Sequence, residues 1–232
     1  MSIYWIIFGV FMLLSLVVSQ TLNARFNKYS KETLLSGMTG REVAEKMLSD
    51  KNIKDVRVIQ IKGHLSDHYN PKDLTLNLSE EVYSGRSVAA AAVAAHECGH
   101  AIQHATSYKW LTMRSSLVPI VQFGANWSQW VLLAGLILIS ISEVLGFYIL
   151  IAGIALFALT TIFAFVTLPV EYNASSRAIR WLDNSGITAG KETEHAHDAL
   201  KWAARTYVVA ALSSLATLLY YIMIALRGRN RN

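Results

Sequence analysis

Three histidines recur at four-residue intervals in "AAHECGHAIQHA", Ala94 to Ala105: His96, His100 and His104, with Glu97 directly after the first. On a helix, His96 and His100 lie one turn apart on one face, so both imidazoles can reach one ion. Zinc takes imidazole nitrogens at about 2.0–2.1 Å, and this spacing suits it. In the pattern HExxH the glutamate leaves the metal free and receives the proton of the attacking water, which zinc makes acidic near neutral pH. The competing reading is a chance match within a polar stripe. The alanine-rich helical setting, and Gly99 leaving room beside an ion, favour a metal site.

A catalytic zinc needs a third protein ligand and one open position. His104 is badly placed for it, because at 1.5 Å rise per residue it lies about 12 Å along the axis from His96. It fits better behind a ligand, beside the substrate or at an interface. The longer pattern HExxHxxGxxH fails, with Gln103 at its glycine and Thr106 at its last histidine. A glutamate from a second helix is the usual third ligand beside two histidines. Glu171, in "LPVEYNASSRAIRWL", is placed to serve: Pro169 marks a membrane exit, and Glu171 opens a helical run with small Ala174, Ser175 and Ala178. The alternative for Glu171 is an acid at a helix N-terminus, favoured there by the macrodipole. His195 and His197 are rivals, but at i, i+2 they point to different faces, and a solvated stretch is the plainer reading. Tyr172 or Arg177 could stabilise an oxyanion. Asp67 and His68 read as a polar turn, the alternative being a substrate-facing or second metal-related role. Cys98, two residues past His96, faces away from the ion and packs.

These residues need elements to hold them, and much of the chain is too apolar for an ordinary soluble protein. Of 232 residues, 53% are hydrophobic and 16% charged, against about 25% charged in typical domains. The apolar residues fall in four blocks long enough to span a bilayer: Ile3 to Gln20, about Leu117 to Ser142, Leu145 to Leu168, and Thr206 to Leu226. A span takes roughly 20 residues. The first block lacks a basic lead-in and a cleavage site, so an uncleaved anchor is expected. Glu143 between the second and third blocks makes them a tight hairpin.

The organisation that follows is an anchor over 1–20, a catalytic region over 21–116, a helical hairpin over 117–168, a second catalytic segment over 169–205, and a last span with a basic tail over 206–232. Four crossings put both polar segments on one side and both termini on the other. Arg25, Lys28, Lys31, Lys109, Arg114, Arg177, Arg180, Lys201 and Arg205 flank the polar segments and favour the cytoplasm for the site. Arg227, Arg229 and Arg231 in the tail argue the other way. The net charge of +5 therefore speaks of topology. No aromatic-interleaved basic patch supports nucleic-acid binding. One cysteine excludes an intrachain disulfide.

Within the polar region, "TGRE" from Thr39 is a capping box opening a helix whose apolar face carries Val43, Met47 and Leu48. "VRVIQI", Val56 to Ile61, and "LTLNL", Leu74 to Leu78, alternate as strands, with the turn signal "NPKD" between them. The second of these is read as an edge strand able to pair with an extended substrate. Ser87 is the N-cap of a helix running to Ala105.

Two blocks carry a resemblance: "GHLSDHYNPKDLTLNLSEEVYSGRSVAAAAVAAHECGHAIQHA", Gly63 to Ala105, and "TLPVEYNASSRAI", Thr167 to Ile179. With the four-span layout, they make the chain resemble the YugP-like membrane zinc metallopeptidases of bacteria. The resemblance implies His96 and His100 as zinc ligands, Glu97 as base and, by analogy with gluzincins, Glu171 as third ligand. It also implies residence in a bacterial cell membrane. Many gluzincins carry ExxxD, whose aspartate orients a ligand histidine. Here Ser175 stands at that position, so either Ser175 orients a histidine less strongly or another residue does so, Asn173 being one candidate.

The expectation is a mainly α membrane protein: four transmembrane helices and an α+β zincin-like catalytic region that hydrolyses peptide bonds with Zn2+. Its substrates would be peptides, membrane proteins or unfolded segments near the bilayer. The rival is a zinc-binding membrane scaffold or chaperone subunit, which needs the histidines and has no use for Glu97. A transporter would carry ionisable residues inside the spans, and almost none occur. Substrate identity, cleavage preference and oligomeric state are not written in the sequence.

Overall fold

The computed structural model describes residues 2–229; Arg231 of the basic tail lies outside them, and only the backbone of Arg229 is described. Ten elements follow in order: α1 Ser2–Tyr29, α2 Gly40–Asp50, β1 Arg57–Ile61, β2 His68–Asn70, β3 Thr75–Ser79, α3 Glu80–Tyr83, α4 Val88–Ala105, α5 Lys109–Leu138, α6 Glu143–Asn184 and α7 Lys191–Arg229. They form two compact units, which long helices thread in turn. One unit comprises, within the described residues, Met1–Leu16, Met113–Leu168 and Tyr207–Asn232. The other comprises Val17–Thr112 and Pro169–Thr206.

In the first unit the helices turn large apolar side chains outward, among them Ile6, Leu13, Trp130 and Tyr148. Among the described residues three helices are long and apolar enough to cross a membrane: α1, α6 and α7. The expected second span falls on α5, which does not reach the same apolarity because Gln122, Asn126, Ser128 and Gln129 interrupt it. Helices α5 and α6 meet closely at two glycines. A Cβ on Gly135 would stand 2.6 Å from the Leu150 backbone nitrogen, and one on Gly153 would stand 2.8 Å from that of Leu132. Small residues at such crossings are how helices associate without a hydrophobic driving force.

The second unit holds the polar chemistry on a small sheet and a bed of alanines. Thr39 forms the capping box with Glu42, and α2 turns Val43, Met47 and Leu48 into the core. The sheet order is β1-β3-β2, with β1 parallel and β2 antiparallel to β3. The strand at Thr75–Ser79 is therefore central and buried along its length, so it has no edge to offer a substrate. The edges are β1 and β2. The polar turn expected at Asp67 and His68 is also replaced: His68 begins β2, and Asp67 accepts hydrogen bonds from the backbone nitrogen and hydroxyl of Ser79 at 2.7 and 3.2 Å. A three-residue polar strand carries no alternation to read.

Helix α4 starts at its Ser87 N-cap, whose hydroxyl accepts from the Ala90 nitrogen. Its alanines are almost wholly buried against the core of Val43, Met47, Leu76, Leu78 and Leu182. Burying a side chain such as Leu or Met stabilises by about 1.5–3 kcal/mol. The alanines contribute less each, and instead let α2, the sheet and α6 approach the helix axis.

One expectation about α6 changes. Glu171 does not open a new helix after a membrane exit at Pro169. Helix α6 runs unbroken for 42 residues, with Pro169 inside it. The missing proline N–H costs one intrahelical bond, and packing on both sides carries the helix through.

Candidate metal centre

Helix α4 presents His96 and His100, and α6 crosses it with Glu171. One carboxylate oxygen, Oε2 of Glu171, lies 3.3 Å from His96 Nε2 and 3.5 Å from His100 Nε2. All three ligand atoms fall within 4.8 Å of one another. Metal bonds of about 2.0–2.1 Å at tetrahedral angles put neighbouring ligand atoms roughly 3.3–3.4 Å apart. Two imidazoles and one carboxylate at this separation are a donor set that fits zinc. Glu171 is 2% exposed, and it sits deep inside α6, far from either helix end. A helix dipole therefore does nothing for it, and a buried carboxylate needs direct partners. The two imidazoles are those partners.

Each histidine is held from behind. Ser175 Oγ lies 3.1 Å from His96 Nδ1, and Gln103 Oε1 lies 3.1 Å from His100 Nδ1. A proton kept on each Nδ1 leaves the Nε2 lone pair facing the centre. Gln103 has a fixed amide orientation, because its Nε2 donates to the Val170 carbonyl at 2.8 Å and to Asn173 Oδ1 at 3.0 Å. Asn173 Oδ1 also accepts from Arg177 Nε at 2.7 Å. Asn173 thus acts on His100 through Gln103, one step removed. Sequence reasoning used Gln103 only to reject a longer histidine motif. The available signal was its position three residues beyond His100, where a polar side chain on the same face meets the ligand.

Gly99 serves the helix crossing. A Cβ there would stand 2.6 Å from the carbonyl oxygen of Ala174. The space expected beside an ion is filled by the backbone of α6, and that close approach is what carries Glu171 to the histidines. Cys98 points the other way, buried, with its thiol 3.6 Å from the Ala44 carbonyl oxygen.

Glu97 is buried outside the three-residue group, and its Oε2 accepts from the backbone nitrogen of Tyr69 in β2 at 3.0 Å. The Tyr69 hydroxyl lies 2.8 Å from His104 Nδ1. Burial pushes the Tyr69 phenol up to about 12. Helix α4 continues through His104, which lies exposed beside Tyr69 and away from the metal ligands. Burial also raises the Asp67 carboxyl above its ordinary range, against the two Ser79 donors, with the nearby Glu97 charge adding to the rise.

The other residues singled out by sequence sit elsewhere. Tyr172 is half exposed. Arg177 turns to Asn173 and lies over the Tyr108 ring. His195 bonds Glu32 at 2.6 Å and stacks on Tyr29, and His197 is exposed, so neither joins the centre.

The chain matches, over residues 4–226, the family described as "Putative neutral zinc metallopeptidase". It is 42% identical over 211 residues to a Bacillus subtilis (strain 168) protein titled "Putative membrane protease YugP", covering 91% of each chain. No solved structure matches.

Proposed function

The chain belongs to the neutral zinc metallopeptidase family, and from that membership we propose that it is a multi-pass membrane zinc peptidase with a single catalytic centre. The convergence of His96, His100 and Glu171 on one point carries this reading. His96, His100 and Glu171 would hold a zinc ion, which would supply Lewis acidity to polarise a carbonyl and acidify water there. Glu97, next to a ligand and outside the ligand set, is the general base. It takes the proton of the attacking water and passes it to the leaving amine. The Tyr69 amide holds one oxygen of Glu97, which keeps the carboxylate aimed and leaves the other oxygen for the proton.

The zincin-like region would work with β2 as its substrate edge, since β2 borders Glu97 and among the described residues has only β3 as a strand neighbour. An extended peptide segment, from a membrane protein or an unfolded chain near the surface, could add there as a further strand. We place α5 across the membrane as a fourth span beside α1, α6 and α7. The site then faces the cytoplasm of a bacterial cell, on the bias of arginine and lysine near the polar segments.

The test is cleavage of a fluorescently labelled unfolded protein by zinc-loaded chain in detergent. Glu97→Gln should keep its zinc and lose activity by about 100-fold or more, the usual scale for a positioned base. Cleavage by Glu97→Gln at the wild-type rate would sink the assignment and leave a zinc-binding scaffold in its place.

A further inference from the structure

A second constellation lies outside the metal centre, in the angle between the C-terminal ends of α2, α4 and α6. A cavity of about 490 Å³ is bounded there by Lys51, Arg177 and Arg180 on its charged walls, and by Ile53, Ile102 and Trp181 on its apolar side. Arg177, Arg180, Trp181 and Asn184 recur at i, i+3, i+4 and i+7 on one face of α6 and all line it. Among the described residues no carboxylate lines it.

Two acids adjoin lining residues in sequence: Asp183, before Asn184 and exposed, and Asp50, before Lys51. Asp50 takes the Lys46 ammonium at 3.2 Å and the Trp181 indole N–H at 3.0 Å. Arg177 commits Nε to Asn173, and among the described residues no other hydrogen bond of its guanidinium is recorded. Neither Arg180 nor Lys51 enters a side-chain hydrogen bond or ion pair among the described residues. Three cations share one concave space, and the only acid shown to act on them, Asp50 on Lys51, stands outside its lining among the described residues. The apolar wall of Ile53, Ile102 and Trp181 removes water from one side and so strengthens both their mutual repulsion and their attraction for an anion. Arginine forks match the oxygens of a phosphate group in two parallel bonds.

We propose that this cavity is a binding site for a phosphate group, held by Arg177, Arg180 and Lys51 and carried either by a soluble phosphate or by a phospholipid headgroup. The space beyond the three cations takes the group's organic substituent against Trp181 and Ile102. The site is separate from the zinc ligands and does not depend on peptidase activity.

The experiment is calorimetric titration of the full-length chain, in neutral detergent, with inorganic phosphate, zinc-loaded and after treatment with chelator. The comparison protein is the double variant Lys51→Gln, Arg180→Gln. Neither residue touches a zinc ligand, so its retained zinc content reports an intact fold. The expected result is saturable binding of phosphate to wild type with or without zinc, weakened about 10-fold or more in the variant. A lipid arm uses nanodiscs of phosphatidylcholine or of phosphatidylglycerol. Phosphate binding suppressed only in phosphatidylglycerol discs supports the site with a lipid headgroup as occupant. Equal binding in both supports it with a soluble one. Binding that vanishes when zinc is removed, binding equally strong in the variant, or no saturable binding in any arm overturns the proposal.

Discussion

Gln103 is the side chain on which the geometry of His100 rests. It is fully buried, and all of its hydrogen bonds run to α6 or to the histidine. Replacing it with Leu keeps the volume and removes the acceptor behind His100 Nδ1. Zinc affinity, measured by competition with a fluorescent chelator, should fall about 10–100-fold, as it does when such supporting partners are lost. An unchanged affinity would mean that the crossing helix alone orients the ring. Asp67 offers a pH test. Its folded pKa is raised by burial, so the unfolded chain releases this proton at lower pH than the folded one. Stability is then lost as pH rises through the folded value. In metal-free protein, Asp67→Asn should gain melting temperature relative to wild type at pH 7, and gain less or nothing at pH 4. A difference that stays constant with pH would show that Asp67 is not desolvated as described. At this level the sequence was readable where spacing alone decides, as with His96 and His100. It was silent where a side chain such as Gln103 acquires its role from a carbonyl, that of Val170, which lies on another helix.

Helix α4 and helix α6 make the site by how closely they cross. Gly99→Ala would ordinarily help a helix by about 1 kcal/mol. Here the added methyl meets the Ala174 carbonyl at 2.6 Å, and backbone cannot move aside as a side chain can. Overpacking of this kind costs about 1–3 kcal/mol, so the variant should be less stable by up to about 2 kcal/mol net. It should also bind zinc more weakly, because Glu171 moves with α6. A Gly99→Ala protein with raised melting temperature and full zinc content would contradict the crossing. Elements with local signals were legible: the capping box at Thr39, the N-cap at Ser87, and the alternating runs that became β1 and β3. What stayed hidden depended on partners distant in sequence. The short strand β2 exists because β3 pairs with it. The passage of α6 through Pro169 reflects packing that overrides a local breaker, and the central place of β3 is a matter of sheet order.

The whole chain couples an apolar unit to a polar one through helices that belong to both. The proposed topology makes a direct prediction. With Cys98 replaced by Ala, single cysteines at Lys51 and Lys191 should label together from the cytoplasmic side with a membrane-impermeant maleimide, and one at Ser142, between α5 and α6, from the other. Labelling at Ser142 from the same side as Lys51 would remove α5 as a span. The proposed chemistry depends on one assembly, the meeting of α4 and α6 at a metal. Its most direct test is zinc per chain, by elemental analysis of detergent-purified wild type, Glu171→Ala and His104→Ala after a mild chelator wash. The geometry predicts about one zinc in wild type and in His104→Ala, and a small fraction of that in Glu171→Ala. Zinc retained by Glu171→Ala and lost from His104→Ala would mean that the third ligand comes from the end of α4, and that α6 does not close the site.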